Sequence, residues 1–259
     1  MIVDSSALAE QVVFDVLVSA FDSAGQRCSA LRVLCLQEEV AERILTMLKG
    51  AMQELVVGNP SYLATDVGPV IDASAKSTIE NHIDKMRAKG CKVFQPLLAD
   101  AAHTQQLTNG AFVLPTLIEI ESINELTHEV FGPVLHVVRY RRPALPTLLD
   151  EINRTGYGLT LGLHTRIDET IAYVSAHARV VGKVFVLSGP TGEENLYALK
   201  CRGISMAERT GPLISVQSVA VDALASEAED YRLERLLIEI SISQNTAAAG
   251  GNASLMTIT

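Results

Sequence analysis

A chain of 259 residues, 48% hydrophobic and 20% charged, has room for one large domain or two modest ones and is globular rather than disordered in composition. A formal charge of -9 leaves no basic field to hold nucleic-acid phosphates. No apolar run reaches the ~20 residues that span a bilayer. The opening Met1-Ile2-Val3-Asp4 also lacks a signal peptide's basic and apolar regions, so the expected compartment is cytoplasmic.

Taken in order, Ser6 is a candidate cap for a first helix, in which Leu8, Val12, Val13, Val16, Leu17, Ala20 and Phe21 recur at helical spacing up to Gly25. Arg32 to Leu36 reads as a buried strand. A second helix is expected from Glu38 to Val57, stopped by Gly58-Asn59-Pro60, and a third from Asp72 to Gly90. Short strands are expected over Lys92 to Gln95, Ala111 to Leu114 and Thr116 to Ile120, and a longer one over Val134 to Tyr140. Then come a helix (Ala144 to Asn153), a strand (Thr160 to Thr165), a helix (Ile167 to Ala178) and a strand (Lys183 to Leu187). This alternation predicts an α/β fold with a largely parallel sheet flanked by helices. Ser188 to Glu194 is turn-rich and reads as a junction. Asp222 to Ile240 is an amphipathic helix candidate, and Asn245 to Thr259 a small, polar tail.

Two stretches carry chemistry. In Gly25-Gln26-Arg27-Cys28-Ser29 a cysteine follows a glycine turn after an apolar helix and before a strand. Such a loop presents a thiol, with Arg27 and Arg32 available to favour its thiolate and backbone N–H groups available to an oxyanion. The plainer alternative for any free cysteine is a small buried hydrophobe, which suits Cys35, Cys91 and Cys201. No Cys-x-x-Cys pair points to zinc or a disulfide framework. In His128-Glu129-Val130-Phe131-Gly132-Pro133 a carboxylate and an aromatic ring two residues apart suit a ligand with hydroxyls and a flat ring. The alternative is a solvated glutamate beside a core phenylalanine. His128 has no second ligand at helical spacing, so no metal site is expected.

The Gly25-Gln26-Arg27-Cys28 core resembles the nucleophile loop of the aldehyde dehydrogenases. So do Gly110 to Leu117, as the strand before the cofactor loop, Glu129 to Leu135, and Asn153 with Thr155 to Thr160, in the same order. Met1 to Leu8, Ser23 to Ala30, Val67 to Asp72 and Gly158 to Asp168 are similar to the proline utilization A family, in which proline dehydrogenase is joined to L-glutamate-γ-semialdehyde dehydrogenase. Pro190 to Glu193, Asn195 to Tyr197 and Asn245 to Ala253 resemble that family's region beyond the dehydrogenase. The resemblance implies a dehydrogenase catalytic portion over 1–187 and a C-terminal remnant over 188–259.

The resemblance further implies that Cys28 attacks an aldehyde, Glu129 and Phe131 bind NAD, and Ser29 lines the aldehyde pocket. The implied substrate is L-glutamate γ-semialdehyde. The family's dinucleotide-binding half, its glutamate base and its asparagine oxyanion donor are placed by the resemblance before Met1, and its substrate-anchoring loop is not recognisable after Val180. The expectation is therefore little turnover by this chain alone, with a homo-oligomer or a complementary dehydrogenase half as partner. An inactive remnant or association module, and a cofactor-independent thiol esterase, are the competing functions.

Overall fold

The structure, a computed structural model, describes residues 1–97, 107, 110–157, 160–179, 183–187 and 241–243. The chain divides into two compact units, Ala9–Ala144 and Met1–Leu8 together with the chain from Leu145 onward.

The first unit opens with helix α1 (Ala9–Phe21), followed by strand β2 (Val33–Gln37) and helix α2 (Glu38–Gln53); strand β1 (Ile2–Val3) belongs to the other unit. Helix α3 (Ala73–Ala88) and strands β3 (Lys92–Phe94), β4 (Thr116–Ile120) and β5 (Val134–Tyr140) complete it. Its strands lie in the order β3-β4-β5-β2, parallel except for the antiparallel β3–β4 pair. Strand β5 is buried at every position but Arg139, as expected of a strand flanked on both sides and covered on both faces. Val12, Val16 and Phe21 of α1, Ile44, Leu45, Leu48 and Met52 of α2, and Ile79, Ile83 and Met86 of α3 form the helical part of the core. Asp72 caps α3, its Oδ1 accepting from the Ala75 N–H at 2.7 Å.

One ion network ties α2 to the sheet. Glu119 on β4 accepts from Lys49 Nζ at 3.0 Å and from Arg139 Nη2 on β5 at 2.9 Å. Burial pushes the Glu119 carboxyl up, but the bonds from Lys49 and Arg139 outweigh it and hold the group below its ordinary value.

In the second unit β1, β6 (Thr160–His164), β7 (Lys183–Leu187) and β8 (Ser241–Ser243) pair in that order, all parallel. Helices α4 (Leu145–Arg154) and α5 (Asp168–His177) accompany them. Asn153 clips the end of α4 to the exit of α5: its Nδ2 donates to His177 O at 3.0 Å and its Oδ1 accepts from Arg179 N at 2.7 Å. No helix among the described residues is long and apolar enough to cross a membrane.

Three expectations are corrected. Ser6 does not cap α1, which begins at Ala9. Its hydroxyl instead bonds the buried Asp4 carboxylate and accepts from Arg166 N at 2.7 Å. The second helix stops at Gln53, not Val57, because Glu54 N and Leu55 N bond three residues back and the chain then extends to bridge Val57 to Val67. Ala111 to Leu114 forms no strand. Val70 N makes one backbone bond to Ala111 O at 2.8 Å, and Pro115 has no N–H with which to carry the β4 ladder backwards. The helix expected over Asp222 to Ile240, the junction at Ser188, the tail from Asn245, and Cys201 lie outside the described residues.

Candidate active site

The thiol loop begins where α1 ends. Ser23 (φ 56°, ψ 34°), Ala24 (φ 52°, ψ 32°) and Gly25 (φ 64°) follow one another in the left-handed region. Such a turn costs roughly 1–2 kcal/mol at each residue bearing a Cβ. It reverses the chain and is closed by Gln26 N donating to Ser23 O at 3.0 Å. A second turn, Ala30 N to Arg27 O at 3.2 Å, carries Cys28 at its crest, and Leu31 N returns to Ser19 O on α1 at 2.9 Å. Cys28 is exposed, while Ser29 beside it is buried, as is Cys35 on β2.

The Glu129–Gly132 segment lies against this loop. A Cβ built on Gly25 would sit 2.1 Å from Gly132 O, so at this crossing the two main chains touch with no room for a side chain. A Cβ on Gly132 would instead meet Ile79 Cδ1, at 2.4 Å. The crossing itself therefore requires glycine at residue 25, and Gly132 makes room for Ile79.

Arg32, one residue before β2, joins the two segments. Its Nε donates to Glu129 Oε1 at 3.1 Å and its Nη2 to Arg27 O at 3.0 Å. Its Nη1 donates to Gly25 O and, at 3.5 Å, to Gly132 O. The guanidinium carbon stacks on the Phe131 ring, 4.5 Å from its centroid. Burial pulls the Arg32 pKa down, and the Glu129 bond and the charges of Glu129 and Cys28 act against it; arginine stays charged through such shifts. Arg27 meets Asp22 at 3.7 Å and does not reach the Glu129 segment.

Behind Arg32 stands a buried histidine pair. The Arg32 carbonyl takes His136 N at 2.9 Å and faces His136 Nδ1 at 3.3 Å. A carbonyl only accepts, so Nδ1 carries the proton and His136 Nε2 accepts from His82 Nε2, 2.9 Å away. Burial, then the charge of His82, push His136 down to about 3; burial, then His128, lower His82. Both rings are therefore neutral at pH 7.

A cleft of about 390 Å³ opens beside this assembly. It is lined by Glu129, Val130 and the 45% exposed Phe131, by Gln26 of the thiol loop, and by α3 residues including Ile79 and His82. Of the residues expected from the sequence, Glu129 and Phe131 line the cleft together, whereas Cys28 and Ser29 are not among its lining residues and their loop reaches it only through Gln26. Among the described residues no group of three or more metal-ligating side chains is arranged to hold a metal.

Sequence reasoning treated Arg32 only as a charge near the thiol and did not single out His82 or His136. Both histidines carried a readable signal. His82 falls on the apolar stripe of Ile79, Ile83 and Met86, and His136 sits inside the apolar run of β5, positions at which a polar ring needs a buried partner.

Two outcomes follow from this geometry. Gly25→Ala, forced into a left-handed conformation against the Gly132 backbone, should cost about 3 kcal/mol or more in urea unfolding. Gly132→Ala should cost less, since it meets the Ile79 side chain (Cδ1 at 2.4 Å, Cγ1 at 2.9 Å) rather than main chain. Equal costs would contradict the crossing. Because the folded His136 value lies below the unfolded ~6.5, the stabilising contribution of its neutral form is full above that pH. It is lost as pH falls from there toward about 3. His136→Asn should flatten this stretch of the stability–pH curve, and an unchanged slope would contradict the assignment.

The sequence pattern of the aldehyde dehydrogenase family matches residues 1–209. The chain is 64% identical over 186 residues to the bifunctional protein PutA of Klebsiella aerogenes, covering 72% of this chain and 14% of that protein. It is 29% identical over 194 residues to a 1-pyrroline-5-carboxylate dehydrogenase of Geobacillus kaustophilus, covering 74% of this chain and 36% of that one. A crystal structure of bifunctional proline utilization A superposes with a TM-score of 0.65 at 46% identity, over 71% of this chain and 18% of that one. The chain thus spans a small fraction of the length of its PutA relatives. The chain belongs to the aldehyde dehydrogenase family.

Proposed function

We propose that this chain carries the thiol and part of the cofactor site of an NAD-dependent dehydrogenase that oxidises L-glutamate γ-semialdehyde to glutamate. The observation that carries the reading is the clamp between an exposed cysteine loop and a carboxylate–aromatic pair. The PutA and 1-pyrroline-5-carboxylate dehydrogenase relatives support the substrate class.

In this reading the Cys28 thiolate attacks the aldehyde carbon and forms a thiohemiacetal. The N–H groups of the turn around Cys28 stabilise the developing oxyanion, and Ser29, the next residue along the chain, is buried. Bound NAD supplies the hydride acceptor. The fit is chemical: Glu129 gives only Oε1 to Arg32, so Oε2 is left to accept ribose hydroxyls, and Phe131 offers a half-exposed aromatic face to a flat ring. Loss of hydride leaves an acyl thioester on Cys28, and water releases glutamate and returns the thiol. Written out, aldehyde, NAD⁺ and water give carboxylic acid, NADH and a proton.

The family resemblance assigns the general base and the side-chain oxyanion donor to motifs that these 259 residues do not contain. Each is worth roughly 100- to 1,000-fold or more in rate. A second reading, a non-catalytic association module, is favoured by the strongly exposed Leu63 and Ile71.

The test is NADH formation from L-glutamate γ-semialdehyde and NAD, by the chain alone and mixed with the dinucleotide-binding half of a full-length relative. The expected result is negligible turnover alone and turnover in the mixture that Cys28→Ala abolishes. Turnover in the mixture that survives Cys28→Ala would overturn the reading, and a stable inactive complex would favour the association module.

A further inference from the structure

We propose that Arg32 is a positioning residue that couples the Glu129 carboxylate to the conformation of the Cys28 loop, so that whatever binds Glu129 is felt at the thiol. The inference rests on the reading of Cys28 and Glu129 given above and goes beyond it by naming the connection between them.

One planar guanidinium serves acceptors on both segments at once. Two of these, Gly25 O and Arg27 O, flank Gln26 on the approach to Cys28. Two others, Glu129 Oε1 and Gly132 O, belong to the carboxylate segment. The Phe131 ring covers one face of the fork, and the side chain is only 15% exposed, so it has little freedom to swing out. From behind, the His136 ring and N–H hold the Arg32 carbonyl, and His82 holds His136. The fork is therefore fixed at its root and shared at its tip.

The turn it holds needs holding. Ser23 and Ala24 occupy a left-handed conformation that neither residue favours, and Gln26 N donating to Ser23 O closes the end of that turn. The Arg32 bond to Gly25 O adds a charged-donor bond on the far side of the Gln26 peptide, and its bond to Arg27 O adds one at the carbonyl that closes the second turn with Ala30 N. A change in the charge or hydrogen bonding of Glu129 redistributes the pull of the guanidinium and with it the closure of the turn. Lysine cannot substitute. Its ammonium keeps the charge but has no planar fork to reach both segments and no face for Phe131.

The experiment is amide hydrogen exchange of Gln26 and Ala30 in the full chain, read by NMR with no aldehyde or cofactor present, with the β5 amides as internal reference. Arg32→Lys is expected to speed exchange at Gln26 and Ala30 by about tenfold relative to β5, the loss of one charged hydrogen bond. Glu129→Gln, a change at a partly exposed side chain, is expected to speed the same two amides several-fold. In the Arg32→Lys background it should add nothing. Wild-type exchange in Arg32→Lys would show that positive charge alone suffices and would overturn the proposal. Effects of the two substitutions that simply multiply would also overturn it, because Glu129 would then act by another route. If Arg32→Lys does not fold, Glu129→Gln alone decides: unchanged loop exchange overturns the coupling. Since no substrate is involved, absence of NADH turnover would leave this result standing, and a failed coupling would leave the assignment of Cys28 intact.

Discussion

The site depends on one arginine satisfying acceptors that come from two distant stretches of chain. Arg32 lies at the foot of β2, and its donors reach Gly25 and Arg27 on one side and Glu129 and Gly132 on the other. A buried guanidinium is stable only when its charge and N–H groups are met, and here the main-chain carbonyls of a strained turn and a single carboxylate meet them. Arg27 O and Gly132 O also accept from Ala30 N and Val134 N, so removing the arginine would take away chiefly the bonds to Gly25 O and Glu129 Oε1, the pair that ties the loop to the carboxylate.

The parallel β2–β5 pair supplies the frame. It fixes Val33 opposite His136 and so places Arg32 beside the strand that follows the Glu129–Gly132 segment. The Gly25–Gly132 crossing then brings the two segments to backbone contact, a separation that only glycine permits at residue 25. Local strain at Ser23 and Ala24 sits next to the one exposed cysteine among the described cysteines. Strain held in place by surrounding bonds is a usual way to keep a reactive side chain presented rather than collapsed.

Much of the frame was legible in the sequence. The strands Thr116–Ile120, Val134–Tyr140 and Lys183–Leu187 appear with the bounds that their apolar runs suggest, because strongly periodic or continuous apolar segments leave few alternatives. Cys28, Glu129 and Phe131 were visible as motifs. What failed was local: Ser6 was taken by the buried Asp4, and Ala111 to Leu114 had β-like composition but no ladder to join. What stayed hidden was the chemistry between segments. Arg32 precedes Glu129 by 97 residues, and no spacing rule connects them. The His82–His136 pair spans 54 residues and is equally invisible to periodicity, although each histidine on its own stood at an apolar position.

The central claim, that Arg32 is clamped between the two segments, is tested most directly by the NMR signals of its side chain in the wild-type chain. The clamp predicts a slowly exchanging Nε–H, held by Glu129, together with side-chain protons shifted upfield by the Phe131 ring above the guanidinium. An Arg32 Nε–H that exchanges as fast as those of surface arginines, with no ring-current shift, would contradict the account.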